Sequence, residues 1–344
     1  MEHYAGLDVS LELTSVCIVD AEGAIVRETK VASHPEDLVG YFRSLEHPIT
    51  RVGLEAGPLS QWLHAGLTSA GFDAVLLETR HVKAALSAMT VKTDRRDARG
   101  IAQLLRLGWY RPVHAKSVSA QEVRSLLTAR KLIQAKLLDV ECSIRGVLRG
   151  FGLKVGAISR GRFDTRIREL VDGNAILETV IDAMLAARTA LESEFKRLHR
   201  ALLGIARDDR VCRLLMSVPG VGAIVAITFR SGVDDPSRFK HSRDLGPHFG
   251  LTPRKYQSGE LDVTGAITKV GDRMVRTALY EAASVMLTRT VRFSSLKAWG
   301  VAVAKRRGTK KARVALARKL GVILHRMWID GTTFRWANQE TAIA

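Results

Sequence analysis

Within the first eighty residues, short apolar runs alternate with amphipathic segments, and this order limits the fold more than any other feature of the chain. The runs at 3–9, 14–19 and 25–31 read as strands. The turns between them, at 8–12 and 20–23, are short enough for hairpins. A helix then opens with Pro35 near its first position and presents Leu38, Tyr41, Phe42 and Leu45 as its apolar contacts. A fourth strand at 51–56, a helix at 61–70 and a fifth strand at 74–78 complete the pattern of a sheet covered by helices.

Acids fall at informative places in this order. Asp8 closes the first strand and Glu55 closes the fourth, while Asp94 and Asp97 lie three residues apart at the start of a helix reading to about residue 107. At that spacing both side chains leave one helical face and sit close enough to share a cation. Taken alone, Lys92-Thr93-Asp94-Arg95-Arg96-Asp97-Ala98 reads equally as a threonine cap with solvated charges. Together the four carboxylates can converge on one sheet edge and offer the oxygen donors that Mg²⁺ takes alongside water and phosphate. A two-metal site of that kind stabilises both the attacking and the leaving oxygen of a phosphoryl transfer.

The charge balance supplies the matching substrate. Lys and Arg number 53 against 35 Asp and Glu, a formal net charge of +18 that concentrates polyanions and makes their binding salt-dependent. DNA is the expected partner. The chain has no long apolar run and no signal peptide, so a membrane partner is not expected and the compartment reads as the cytoplasm. Cys17, Cys142 and Cys212 lack metal-ligand spacing and read as reduced core residues.

Two long helices are expected at 119–148 and 175–203, each with an apolar seam at alternating spacings of three and four. Leu126, Ile133, Leu137, Val140, Ile144 and Val147 mark the first. Leu177, Val180, Met184, Leu191, Phe195, Leu198 and Leu202 mark the second. The Gly- and Arg-rich segment 149–173 reads as the turn of an antiparallel hairpin. Its seams either bury against the chain's own core or mediate self-association.

Further on, Gly220 and Gly222 precede an apolar helix and leave backbone N–H groups able to approach a phosphate. This resembles the hairpin of helix-hairpin-helix DNA-binding modules; a tight turn serving only helix packing is the alternative. Ser258 precedes a glycine, ordinarily a loop position, but Arg254, Lys255, Lys269, Arg273 and Arg276 around it suit a phosphodiester. A last helix is expected at 310–328, with Val314, Leu316, Leu320 and Ile323 packed and its many charges facing solvent or nucleic acid.

Gly6-Leu7-Asp8-Val9-Ser10, Leu54-Glu55-Ala56 and residues 92–98 resemble the Asp-Glu-Asp-Asp signature of the IS110/IS1111-type transposases. The stretch Pro253-Arg254 to Ser258-Gly259 resembles the C-terminal domain of the same family. The resemblance implies a ribonuclease H-like (RuvC-like) α/β domain at 1–115 and an antiparallel coiled-coil hairpin at 116–207. It further implies a mainly α transposase domain at 208–330, followed by a tail at 331–344. It implies Mg²⁺, with Mn²⁺ as a substitute, on Asp8, Glu55, Asp94 and Asp97; Lys92, just ahead of the pair, reads as an exposed lysine, with a phosphate contact as the alternative. Ser258 is then the nucleophile that joins covalently to DNA. A structured guide RNA, a homo-oligomer (dimer or tetramer) and a bacterial, nucleoid-associated setting follow from the same likeness. The competing readings are a metal-dependent junction resolvase that uses water, and a nucleic-acid-binding protein without catalysis.

Overall fold

The apolar runs at the start of the chain build the middle of a mixed sheet. The computed structural model describes residues 2–87 and 93–336; Lys92 lies outside them. Two compact units are present, the first through Lys116 and the second from Ser117 onward.

In the first unit, β1 (Tyr4–Val9), β2 (Leu13–Val19) and β3 (Ile25–Ala32) run as antiparallel neighbours. Helix α1 (Pro35–Arg43) leads to β4 (Arg51–Glu55), and α2 (Ser60–Ser69) leads to β5 (Ala74–Leu77); β4 lies parallel to both β1 and β5. Helices α3 (Thr79–Leu86) and α4 (Asp94–Arg106) precede β6 (Pro112–Val113), which pairs antiparallel with β5. The sheet order is β3-β2-β1-β4-β5-β6.

Period-2 alternation sends β1 and β4 side chains to two different cores. Ala5, Leu7, Val52 and Leu54 pack with Leu38 and Phe42 of α1 and with Leu63 and Leu67 of α2. The opposite face carries α4. A Cβ on Gly6 would stand 2.2 Å from the Ala98 carbonyl oxygen, and one on Gly53 would stand 2.6 Å from a Leu105 methyl. The two strands thus lie under α4 because the residues beneath it have no side chain.

In the first unit, two elements escaped the sequence reading. Strand β6 is two residues long and exposed, with a proline that an edge strand tolerates. Helix α3 has only eight residues, short of the roughly ten at which a helical period is told from other patterns, and it fully buries only Val82.

The second unit begins with the long pair α5 (Val118–Gly150) and α7 (Ala175–Asp208). Ile144 and Leu148 pack with Leu177 and Ile181 at one end, and Val123 and Leu127 join the core of Leu202 and Ala206 at the other, so the helices are antiparallel. The segment between them is more than a turn. It holds α6 (Phe163–Val171), whose Phe163, Ile167 and Val171 close a separate core at the far end of the pair. This third helix shifts the seam: Ile181 and Leu185 are buried, while Val180 is 39% exposed.

Arg188 ties that end together. Its side chain is 3% exposed, bonds to Glu141 at 3.0 Å and Asp164 at 2.9 Å, reaches Glu192 at 3.4 Å, and lies over the Phe163 ring. One guanidinium therefore joins α5, α6 and α7.

The remaining elements are α8 (Arg210–Leu215), α9 (Ala223–Val233), the short α10 (Leu245–His248), the hairpin β7 (Pro253–Ser258) and β8 (Leu261–Ile267), α11 (Arg273–Thr288), α12 (Ser295–Arg307) and α13 (Thr309–Asp330). Phe229, Leu279, Leu320 and Leu324 share one core with Val123 and Leu202, which binds the near end of the long pair into the same unit. Residues after Asp330, expected to form an uninformative tail, contribute Phe334 to that core. The Phe334 N–H donates to Ser217 Oγ at 3.0 Å. Among the described residues no helix is long and apolar enough to cross a membrane.

One cysteine departs from expectation. Cys17 and Cys212 are buried, but Cys142 is exposed, because position 142 falls on the outer face of α5. Burial pushes the Cys17 thiol up to about 11 and the Cys212 thiol up to about 12. In the folded protein at neutral pH, maleimide should modify Cys142 alone, with Cys17 and Cys212 reacting only in denaturant, as read by peptide mass mapping. Gly6→Ala should destabilise the first unit by about 3 kcal/mol, the upper range for an overpacked contact, measured by denaturant unfolding.

Candidate active site

The sheet places two of the expected acids side by side. The β1–β4 register runs from Tyr4 opposite Arg51 to Leu7 opposite Leu54, which brings Asp8 level with Glu55 at the same ends of two parallel strands. Both follow, two residues on, the glycines that face α4, so both side chains leave the sheet on the α4 side. They line one cavity of about 320 Å³ with Ser10, Ala56, Gly57 and Thr79. Its wall is fixed locally: Thr79 donates to the Ala56 carbonyl at 3.0 Å, and the Gly57–Ser60 turn is closed by the Ser60 hydroxyl.

Asp94 and Asp97 occupy the first turn of α4, capped by Thr93, whose hydroxyl accepts from the Arg96 N–H at 3.3 Å. The cap reading of this stretch is therefore correct as far as Thr93 goes, and acids in a first turn also suit the helix dipole. The four carboxylates do not gather into one cluster. Asp94 is drawn to the Lys30 ammonium of β3, 3.9 Å away. Among the described residues no group of three or more His, Cys, Asp or Glu stands close enough to hold a metal. The donors at the cavity nonetheless fit a hard divalent cation. Asp8 and Glu55 offer carboxylate oxygens, and Mg²⁺ is commonly held by one or two carboxylates with water and substrate phosphate completing its shell.

Sequence reading missed the neighbours of the acid pair. Glu28 of β3, its side chain 10% exposed, accepts from Arg95 Nε at 2.5 Å and from Arg99 Nη2 at 3.3 Å. Hydrogen bonding from Arg95 holds the Glu28 carboxyl below the usual range, against the upward push of burial. An acid in an amphipathic strand carries no local sign of such a partner, about seventy residues away in sequence.

In the second unit, Ser258 ends β7 and pairs with Leu261 across a two-residue turn. Gly259 takes φ +54° at its first central position, which favours a residue without a Cβ. All of β7 is exposed, so the serine stands at the tip of a solvent-facing hairpin. Arg254 is also on β7, and Lys255 forms a cross-strand pair with Asp262 at 3.1 Å. Lys269 and Arg273 are exposed beyond the hairpin. Arg276, by contrast, donates to the carbonyls of Phe249 and Val270, both at 2.9 Å, so its guanidinium braces the loops flanking the hairpin.

The two turn glycines separate in role. A Cβ on Gly220 would stand 2.6 Å from the Ala282 carbonyl oxygen of α11, so this glycine serves close packing. Gly222 is the N-cap of α9 and has open space where a side chain would be.

Comparison with known proteins accords with this arrangement. Residues 5–152 match the model for DEDD transposases of IS110, described as Transposase, and residues 212–298 match the model described as Transposase IS116/IS110/IS902 family. The transposase for insertion sequence element IS1111A of Coxiella burnetii is 28% identical over 340 residues, covering 96% of this chain and 90% of that protein. A Pseudomonas aeruginosa protein named Probable family 20 transposase is 28% identical over 350 residues, covering 96% and 98%. The transposase for element IS1328 of Yersinia enterocolitica is 30% identical over 142 residues, covering 41% and 42%. The fold and its acids thus go with a class of DNA-transposing proteins. The chain carries the transposase domains of the IS116/IS110/IS902 family of insertion sequences.

Because the Glu28 carboxyl is lowered, its contribution to stability is complete above the ordinary glutamate range and is lost as pH falls through the folded value. Glu28→Gln should therefore lower stability at neutral pH and flatten the acid limb of the stability curve, measured by urea unfolding across pH 3–7.

Proposed function

We propose that this transposase cuts and rejoins DNA through Ser258. The first unit is read as a ribonuclease H-like, RuvC-like domain in which Asp8, Glu55, Asp94 and Asp97 hold Mg²⁺, with Mn²⁺ able to substitute. The observation that carries this reading is the shared cavity of Asp8 and Glu55 at neighbouring strand ends, with the first turn of α4 on the same sheet face.

A divalent cation bound there would supply positive charge against the negative charge that develops on phosphoryl oxygens. Ser258 Oγ attacks the phosphorus, its proton passing to solvent or a neighbouring base. The bond from phosphorus to the leaving sugar oxygen breaks, and that oxygen leaves as a hydroxyl. One phosphodiester is exchanged for another, so the serine-linked strand keeps the energy needed for rejoining. The hairpin suits this role because it presents the hydroxyl beyond the body of its unit. Arg254, Lys255, Lys269 and Arg273 are read as phosphate contacts, and the turn at Gly220 and Gly222 as a helix-hairpin-helix-like DNA contact through the open N-terminus at Gly222.

The family likeness further supports a structured guide RNA, a homo-oligomer with the helical pair as a coiled coil, and a place beside bacterial DNA in the cytoplasm. The +18 charge suits DNA and RNA equally.

Ser258→Ala should lower strand cleavage by more than about 10³-fold and abolish a denaturation-resistant protein–DNA adduct, while Asp8→Ala abolishes both. Normal cleavage by Ser258→Ala would instead favour the resolvase-like reading with water as nucleophile. Cation-independent DNA binding with no cleavage on any junction would favour a binding protein.

A further inference from the structure

The first turn of α4 mixes acids that suit the helix dipole with arginines that do not. Arg95 and Arg96 sit at the positive end of the helix dipole, and Arg95 and Arg99, four residues apart, place like charges on one face. Each feature opposes formation of the turn that carries Asp94 and Asp97. Glu28 offsets the charge of Arg95 and its repulsion with Arg99 by setting a carboxylate against both at once. Two positions along the same strand, Lys30 reaches Asp94.

The rest of α4 is fixed by other means. Gly6 admits Ala98 and Ala102, Gln103 Nε2 donates to the Gly23 carbonyl at 2.7 Å, and Arg106 Nη1 donates to the Ala21 carbonyl at 3.2 Å. These contacts hold the middle and the C-terminal half. The Thr93 cap and β3 contact the acid-bearing first turn.

We infer that Glu28 is a positioning residue for the acid pair: by clamping Arg95 and Arg99 to β3, it fixes the direction in which Asp94 and Asp97 leave α4 relative to Asp8 and Glu55. The inference rests on the proposed reading of those four acids as cation ligands. The effect of Glu28 passes through the backbone of the first turn, as partners behind metal ligands commonly act.

The test uses the full-length protein and two readouts besides activity. Hydrogen exchange of the cation-free protein, comparing wild type with Glu28→Gln, should show faster exchange at the amides of residues 94–99, with β1 and β4 unchanged. Titration with Mn²⁺ in the absence of DNA should show binding about tenfold weaker in Glu28→Gln, the lower range for loss of such a supporting partner. Combining Arg95→Gln and Arg99→Gln with Glu28→Gln should be no worse than Glu28→Gln alone, because all three changes break one interaction. If Glu28→Gln fails to fold, Arg95→Gln, at a side chain 71% exposed, carries the same two readouts with smaller shifts.

Unchanged exchange at 94–99, or unchanged Mn²⁺ affinity in a variant whose acid pair has loosened, would overturn the inference. Asp8→Ala separates this failure from that of the site itself. If Asp8→Ala binds Mn²⁺ like wild type, the acid-site reading fails. If Asp8→Ala loses binding while Glu28→Gln keeps it, only the role of Glu28 fails.

Discussion

The first unit depends on how closely α4 approaches β1 and β4. Two glycines under the helix set that distance, and the same period-2 alternation that turns them toward α4 turns Asp8 and Glu55 to the same side two residues later. The acids are thus placed by a packing requirement. Any side chain at Gly6 would lift the helix, and with it the turn bearing Asp94 and Asp97. Electrostatics then acts on a position that sterics has already selected. Glu28 neutralises Arg95 at the positive end of the helix dipole and Arg99 one turn further on, and Lys30 draws Asp94 toward β3.

The second unit solves a different problem, which is to hold Ser258, the proposed nucleophile, on an exposed strand tip without losing its position. An isolated two-stranded hairpin is marginally stable in water. Here its base is held by the pairing of Pro253 with Ile267, by the Thr268 N–H donating to the Thr252 carbonyl, and by Arg276 bridging the loops on either side. The long helix pair belongs to the same core at one end and makes a second core with α6 at the other. Arg188 is the charged centre of that second core, and its four-way contact takes the place of an apolar seam residue.

Much of this was legible in the sequence, for a physical reason that also marks where reading stopped. Strands β1 to β5 and helices α1, α2 and α4 have strong periodicity and sit near their expected ends, because burial of one face is written into local order. Short elements, such as the eight-residue α3 and the two-residue β6, offered too few positions to read a period from. Asp8, Glu55, Asp94 and Asp97 stand where the sequence placed them, at two strand ends and in the first turn of a helix. The partners Lys30 and Glu28 were not legible, since a contact between β3 and α4 has no signature in either segment. Arg276 was grouped with phosphate contacts on charge alone, although two backbone carbonyls claim it. The exposure of Cys142 and the packing of Phe334 depend likewise on which helix face meets which neighbour.

The central claim is that a serine at a hairpin tip, and no other group, receives the DNA strand. The most direct measurement is mass spectrometry of the covalent adduct, trapped on DNA carrying an element end with Mg²⁺ present, nuclease-trimmed and digested. The account predicts a nucleotide remnant on the peptide containing Ser258, attached through a phosphodiester at its hydroxyl. A remnant on any other residue, or cleavage of the DNA with no modified peptide at all, would contradict it.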